Sequence, residues 1–553
     1  MNVTDLLSGA VRQALDAAGL PVPDEVAWEI PREAHHGDYA TNVAMTLART
    51  ARRPPRQVAE AIVARFPSTG VVERLEVAGP GFLNVFLAAA WCATALRDVL
   101  RAGDTYGRRP AAARRYRIEF VSANPTGPLV IVNARAAAVG DALARILRSQ
   151  GGDVVSEYYV NDAGNQFLAL AASMETRVRQ ALGQDAALPD NGYPGEYLVD
   201  LAREWLATDR AAAEAALALP EDERRRRFGW YAVHALVAGQ RKVLEDYGTV
   251  FHQWSHEEAD VRAKGLPERA MAELARRGHT YEDGGALWFR STAFGDDKDR
   301  VLRKSDGELT YFGVDVGFHH LSKFDGADVV INILGPDHHG YIGRMKAAMR
   351  ALGHPDEAFD VLIVQLVTLL RDGQPVRMSK RRGEFVLMDE LLEEVGRDAA
   401  RFTFLTRRHD SPLEFDLALA TRQSSDNPVY YVQYAHARVS SLLRNAAEQG
   451  LAAPSRWDDV PFERLELPEE QGLIKRLLQY PGLVAGAARA REPHRVAYSL
   501  TELAGAFHPY YKAHRVIGTD RDLSLARLGL CVGVAQVVRS GLGLLGVSAP
   551  ESM

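Results

Sequence analysis

A chain of 553 residues exceeds one ordinary core, so roughly two to four domains are expected. Hydrophobic content of 47% and charged content of 25% are those of a soluble globular protein, and the net charge of −6 supplies no global attraction to nucleic acid. Only two cysteines, Cys92 and Cys531, argue against a thiolate zinc site and a disulfide-stapled fold.

The N-terminal stretch carries Asp5 and Arg12 within an amphipathic helical pattern, so it does not read as a signal peptide. No stretch reaches about 18 uncharged apolar residues, so no membrane span is expected and the compartment reading is cytoplasmic. Residues 1–88 read as a small α+β unit, with helical patterns at 3–18 and 56–65 and an extended run at Gly81–Phe86. A helix around 91–102 leads to Gly107-Arg108-Arg109-Pro110, a candidate boundary.

From residue 114 the texture changes. RRYRIEFVS reads as a strand, NPTGP as a turn, NARAAAVGDALARILRSQG as a helix and VVSEYYV as a second strand, which makes a βαβ unit. Residues 198–248 are helical and heavily charged, with Glu221–Arg227 read as a solvated face. Strands are then expected at Leu309–Phe312, Asp328–Leu334 and Val361–Val367. Beyond about residue 390 the pattern is almost wholly helical. The simplest partition is an α/β catalytic domain between two smaller appendages.

The familiar phosphate motifs are missing. There is no Walker A sequence, and Gly541–Gly546 matches GxGxxG with only seven residues after it, too few for a βαβ unit. Three His pairs, 35–36, 319–320 and 338–339, lack supporting carboxylate spacing, so no metal site is expected from them. Two segments are more informative. Ser122, Asn124, Pro125, Thr126 and Gly127 fall at the start of a helix in an open α/β sheet, where unpaired N–H groups suit a phosphate. Far downstream, Val376-Arg377-Met378-Ser379-Lys380-Arg381-Arg382 is a compact basic loop. Together they look like a two-part clamp on a triphosphate.

RMSK at 377–380 is similar to the KMSKS-type loop of class I aminoacyl-tRNA synthetases. EFVSANPTGPL (119–129), EYYVNDAGNQ (157–166), TYFGVD (310–315), GPDHHGY (335–341), DNPVYYVQYAHAR (426–438) and the terminal GVSAPESM resemble arginyl-tRNA synthetases in particular. HGDYATN (36–42) and GPGFLN (79–84) resemble that family's extra tRNA-binding domain. The resemblance implies a class I Rossmann-type parallel-sheet catalytic domain at 109–390, with a helical insertion at about 185–295. It also implies an N-terminal α+β tRNA-binding domain at 1–108 and an all-helical anticodon-binding domain at 391–553.

The activity implied is activation of arginine with ATP and Mg²⁺, then transfer to the 3′ end of tRNA(Arg), by a monomer. A guanidinium wants carboxylates placed for bidentate bonds. Glu119, Tyr311 and Asp315 are the implied side-chain pocket, and Asn124 the ligand of the α-amino group. Ser122, Val130, Val132, Asn133, Asp337, His338, His339, Met378, Ser379 and Lys380 are the implied ATP contacts, with Lys380, Arg377 and Asn133 catalytic. Phe82, Asn84, Tyr434 and Arg438 are the implied tRNA contacts.

The chain departs from the family at one place. Where the family has an HxGH tetrad, this sequence reads Val130-Ile131-Val132-Asn133. Both histidines are absent, the glycine is a valine, and Ala134-Arg135-Ala136 follows. Loss of one preorganised donor to a transition-state oxyanion costs about 2.7–4 kcal/mol. The expectation is an active enzyme in which Asn133, Arg135, His338 or His339 and Lys380 share the missing work. The alternatives are an impaired, synthetase-like regulator that binds tRNA or arginine, and an ATP-using transferase acting on another small acceptor.

Overall fold

The structure is a computed structural model that describes residues 2–31, 33–112, 114–376 and 386–553. The N-terminal unit opens with α1 (Val3–Ala17), whose first turn is capped by Asn2 Oδ1 accepting from the Thr4 N–H at 3.2 Å. Strand β1 (Tyr39–Thr41) and helices α2 (Val43–Ala51) and α3 (Pro55–Arg65) follow, and Pro55 supplies a preset first helical residue. Strands β2 (Val72–Ala78) and β3 (Phe82–Leu87) complete an antiparallel sheet with β3 in the middle. Period-2 alternation sends Leu83, Val85 and Leu87 into the core. Helix α4 (Ala89–Ala102) leaves this unit and packs on the C-terminal helices.

The central body is a five-stranded parallel sheet. Its strands are β4 (Arg115–Glu119), β5 (Asp153–Val160), β6 (Gln253–His256), β10 (Val329–Leu334) and β11 (Phe359–Ile363), in the order β11-β10-β4-β5-β6. Helix α5 (Ile131–Ser149) joins β4 to β5. It lies so close to the sheet that a Cβ on Gly140 would sit 2.2 Å from the Phe120 ring. Helices α6 (Gly164–Ala181), α7 (Glu196–Leu217) and α8 (Glu221–Asp246) lead to β6, and α9 (Leu266–Arg276) follows. A small antiparallel sheet of β7 (Thr280–Asp283), β8 (Ala286–Phe289) and β9 (Arg300–Arg303) precedes α10 (Tyr311–Phe318), while α11 (Tyr341–Ala351) links β10 to β11. Chain direction across the sheet reverses at β4, which has β5 on one side and β10 on the other. The crevice beyond the carboxyl ends of those strands is where an open α/β sheet binds ligands.

After β11 come β12 (Val367–Arg371), β13 (Gln374–Pro375), α12 (Met388–Val395), α13 (Arg397–Phe404), β14 (Leu413–Asp416) and α14 (Leu417–Thr421). The chain ends in a bundle of α15 (Pro428–Glu448), α16 (Pro468–Ala490), α17 (His494–Ala513) and α18 (Arg521–Leu545).

Several sequence expectations are corrected here. Leu309–Phe312 is not a strand: Thr310 Oγ1 accepts from the Gly313 N–H at 3.1 Å and starts α10, leaving Leu309 a single bridge to Arg303. Val361–Val367 is not one strand, because β11 ends at Ile363 and Val367 opens β12 in another sheet. The segment at 185–295 is not helical throughout: after α8 ends at Asp246, β6 joins the parallel sheet beside β5, and beyond α9 the strands β7 and β8 pair antiparallel. A boundary at 390 would cut a sheet, since β14 pairs parallel with β12. Separately, α18 is long and apolar enough to cross a membrane by length and composition, although Arg527 and Arg539 break it into shorter uncharged runs. Its apolar window is 67% buried inside the protein, against α15, α17 and α16, as a core helix is. The literal GxGxxG lies at the end of this helix and shapes no phosphate loop.

Candidate active site

Strand β4 alternates so that Ile118 is buried against α5, while Glu119 is brought to the crevice end at 7% exposure. The backbone then turns through two left-handed residues, Val121 (φ 69°) and Ser122 (φ 36°). A β-branched residue there costs on the order of 1–3 kcal/mol, so the surroundings must hold it. They do. Ser122 Oγ accepts from the Tyr159 N–H at 3.1 Å, and Tyr158 Oη donates to the Ala123 carbonyl at 3.1 Å. The Gln240 amide donates to Asn124 O at 3.3 Å and to Gly127 O at 2.9 Å. Loop 120–127 is thereby fixed against β5 and α8, with the Asn124 side chain exposed at its tip.

Across the switch point, α10 presents Asp315 and Tyr311. Asp315 is buried, accepts from Tyr341 Oη, and is pushed up to about 8 by burial, with the Glu119 and Glu257 charges adding to the rise. Tyr311, 54% exposed at the crevice rim, has its phenol held above the ordinary range chiefly by the Asp315 charge. Tyr159 Oη donates to Glu257 Oε2 at 2.9 Å, and Arg262 Nε donates to Glu257 Oε1 at 2.7 Å. Three acids and three phenols from β4, β5, α10, α11 and the turn after β6 therefore share one end of the sheet. Such a pocket favours a cation.

Glu119 has a resident partner that sequence reasoning missed. The Lys323 ammonium is fully buried and donates to Glu119, to Asn332 Oδ1 at 2.9 Å and to His319 Nε2 at 2.9 Å. All three of its donors are used. His319 Nδ1 lies 2.7 Å from the Asp315 carbonyl, which fixes Nδ1 as the protonated nitrogen and leaves Nε2 to accept. Burial, and then the Lys323 charge, depress its pKa well below the ordinary value, consistent with a neutral ring. Nothing in the sequence marks Lys323. Tyr341, by contrast, closes the GPDHHGY segment and could have been singled out.

The altered tetrad forms the start of α5. Three of the N–H groups at its start are engaged within the protein, where the sequence expectation had them unpaired. Val130 N–H donates to Asn133 Oδ1 at 2.9 Å, Ile131 N–H to Val386 O at 3.2 Å, and Asn133 N–H to Val130 O at 2.8 Å. Asn133 thus caps its own helix, which leaves only its amide NH₂ to donate elsewhere. Met388 N–H donates to Leu129 O at 2.9 Å, so the chain on the far side of the basic loop is zipped to the tetrad. Val130 and Val132 are half-buried beside it. Arg135 is wholly buried and faces carbonyl oxygens only: Gln365 O at 2.8 Å, Arg408 O at 3.0 Å and Ser411 O at 2.8 Å. It positions α5 and is not aimed at a nucleotide. Arg377, Met378, Ser379 and Lys380 lie outside the described residues.

Asp337 and His338 occupy a short 3₁₀ turn, Pro336–His338, beyond the end of β10, with His338 Nε2 3.5 Å from Asp337 Oδ2. Asp337 and His339 are exposed.

Two further faces carry the remaining candidates. On β3, Phe82 is half-buried and Asn84 is only 5% exposed; both lie on the strand face opposite Leu83 and Val85, near Phe86, whose ring carries the Arg74 guanidinium at 3.8 Å. On α15, Arg438 lies 4.4 Å over Tyr434 and 5.1 Å over Tyr511, and its Nη1 donates to His508 Nδ1 at 2.9 Å. Tyr430 and Tyr434 stack at 5.9 Å. This half-buried aromatic and cationic cluster suits unstacked bases.

Comparison with known proteins agrees with this geometry. Residues 5–87 match the arginyl tRNA synthetase N terminal domain, 95–412 the catalytic domain of class I tRNA synthetases (R), and 432–553 the DALR anticodon binding domain. Arginine–tRNA ligase of Syntrophotalea carbinolica is 48% identical, covering 98% of this chain and 97% of that protein. The same enzyme of Desulforudis audaxviator is 46% identical, covering 99% and 97%. Thermus thermophilus arginyl-tRNA synthetase superposes over 100% of both chains with a TM-score of 0.78 at 24% identity, a likeness of fold. A Campylobacter jejuni structure described as a putative arginyl tRNA synthetase gives a TM-score of 0.75 at 32% identity, covering 84% of this chain and 100% of that one. Identity of this size, held from end to end, exceeds what a shared fold alone produces, and the chain belongs to the arginyl-tRNA synthetase family.

Proposed function

We propose that the chain activates L-arginine with ATP and transfers it to the 3′ end of tRNA(Arg), as an arginine–tRNA ligase. The acid pocket at the switch point carries this reading, because a guanidinium is the substrate group that a cluster of carboxylates and phenols rewards. Asp315, Tyr311 and Glu119 surround the guanidinium, with Glu119 held in place by its pair with Lys323, and Asn124 takes the α-amino group.

ATP lies across the start of α5. The Asn133 amide, held in place by its cap, donates one hydrogen bond to the nucleotide, while Ser122, Val130 and Val132 shape the floor. His338 and His339 add donors from the opposite wall. Lys380, with Arg377, Met378 and Ser379, closes over the phosphates and neutralises charge as pyrophosphate leaves. A magnesium ion brought in with the nucleotide would be held in part by the exposed Asp337 carboxylate and would offset charge on the phosphates. Phe82 and Asn84 meet the body of the tRNA, and Tyr434 and Arg438 stack on its anticodon bases. The reading is of a cytoplasmic monomer.

Purified protein with arginine, ATP, Mg²⁺ and tRNA(Arg) is expected to yield arginyl-tRNA. The exchange assay for the first step must include the tRNA. No product above background overturns the reading, and preferential charging with lysine or cysteine overturns the pocket assignment.

A further inference from the structure

We propose that a cleft between the linker at 104–109, the C-terminal half of α5 and the end of α18 binds a compact polyphosphate anion, at a site separate from the catalytic one. The cleft has a volume of about 800 Å³, within the range of about 300–1,000 Å³ usual for small-molecule sites. It lies at the other end of α5 from the tetrad. The 17 residues from Ile131 to Arg148 place it roughly 26 Å away along the helix axis.

Its walls hold a surplus of guanidinium groups. Arg108 and Arg109 come from the linker, Arg145 and Arg148 from α5, and Arg539 from α18, with His252 beside them. Only two carboxylates line the same space, Asp104 and Asp141, and both are engaged. Asp104 pairs with Arg539. Asp141 is shared between Arg145, at 2.7 Å, and Arg401, a fully buried guanidinium behind the wall. Arg109 reaches Asp5 at 3.3 Å on the surface. Among the described residues neither Arg108 nor Arg148 is paired with a carboxylate. Arg148 is half-buried and donates to neutral acceptors only, Val154 O at 2.8 Å and Ser156 Oγ at 3.3 Å.

Burial, and then the neighbouring Arg145, lower the Arg148 pKa, the latter against Asp141 and Asp153; burial, and then Arg148, lower that of His252. An anion placed among them relieves both. Forked guanidiniums match phosphate oxygens in pairs. Groups converging from three chain segments call for more than one phosphate. A nucleic-acid backbone tracks an extended groove instead, so a small anion is the better fit for a recess in which guanidiniums converge from the linker, α5 and α18.

The test uses the full chain with its active site filled by arginine and a non-hydrolysable ATP analogue. Calorimetric titration with inorganic tripolyphosphate is expected to show one site. Its Kd should weaken at least about tenfold in Arg148→Gln and in Arg108→Gln. It should stay unchanged in Arg203→Gln, on the exposed face of α7. Arg108 is exposed, so its variant keeps the test valid if Arg148→Gln folds poorly. Absence of binding, or equal affinity in all variants, overturns the proposal. So does a loss of tRNA(Arg) affinity with tripolyphosphate binding unchanged, which would assign the cleft to the RNA backbone.

Discussion

Lys323 places a fully buried ammonium against the carboxylate of Glu119, and this pair borders the acid pocket proposed above for arginine. A buried pair of this kind is costly to break from one side. Lys323→Met should destabilise the protein by about 3–5 kcal/mol, because Glu119 is left charged and unpaired. Adding Glu119→Gln should recover part of that loss. Denaturant melts of the two single variants and the double variant measure the coupling. Additive losses would mean that the two groups do not act as a pair.

Asp315 gives the pocket its strongest dependence on protonation. Its carboxyl is raised to about 8 by burial, so at neutral pH much of it is protonated and uncharged. A guanidinium needs the carboxylate. Arginine affinity should therefore rise with pH, by up to about tenfold per unit from about pH 6 and flattening above about 8. Binding at pH 7 should release a proton, which calorimetry in buffers of different ionisation enthalpy reads directly. A flat profile contradicts the assignment.

Asp315→Asn keeps the shape and removes the charge. The KM for arginine should rise roughly 10- to 100-fold, the worth of a charged hydrogen bond, with the KM for ATP nearly unchanged. An unaltered arginine KM rules out the side-chain pocket described above.

The tetrad can be restored as Val130→His, Val132→Gly and Asn133→His together. The structure ties the present residues into the cap of α5 and the pairing with Val386 and Met388, so surroundings adapted to them should be disturbed. We expect slower activation and a loss of about 0.5–2 kcal/mol in stability from the missing cap. A large gain in pyrophosphate exchange would instead mark the present tetrad as a plain defect.

Tyr434→Ala should weaken tRNA(Arg) binding by about 1–3 kcal/mol, the worth of one stacked base, while the arginine and ATP constants stay put. Because Arg438 lies over the same ring, Arg438→Ala should be less than additive with it. Full additivity in filter-binding measurements would separate the two.

What the sequence by itself determined was the set of elements whose signal is local. The βαβ unit at 114–160, the helical C-terminal third and the order of the motifs all follow from periodicity, turns and long unbroken words of sequence. Leu309–Phe312 failed because β-forming side chains there are overruled by one hydroxyl, Thr310, capping the next turn. Glu119, Tyr311 and Asp315 were named from the sequence, yet nothing local shows that Lys323, Tyr341, His319 and Glu257 stand among them. Those contacts join residues as much as 204 positions apart, and their energies depend on burial that only the packed sheet creates. The same holds for Asn133. The sequence shows an asparagine in place of a histidine; the tertiary structure decided that its oxygen is spent on the Val130 N–H, which leaves its neutral amide NH₂ as the only group free to donate elsewhere.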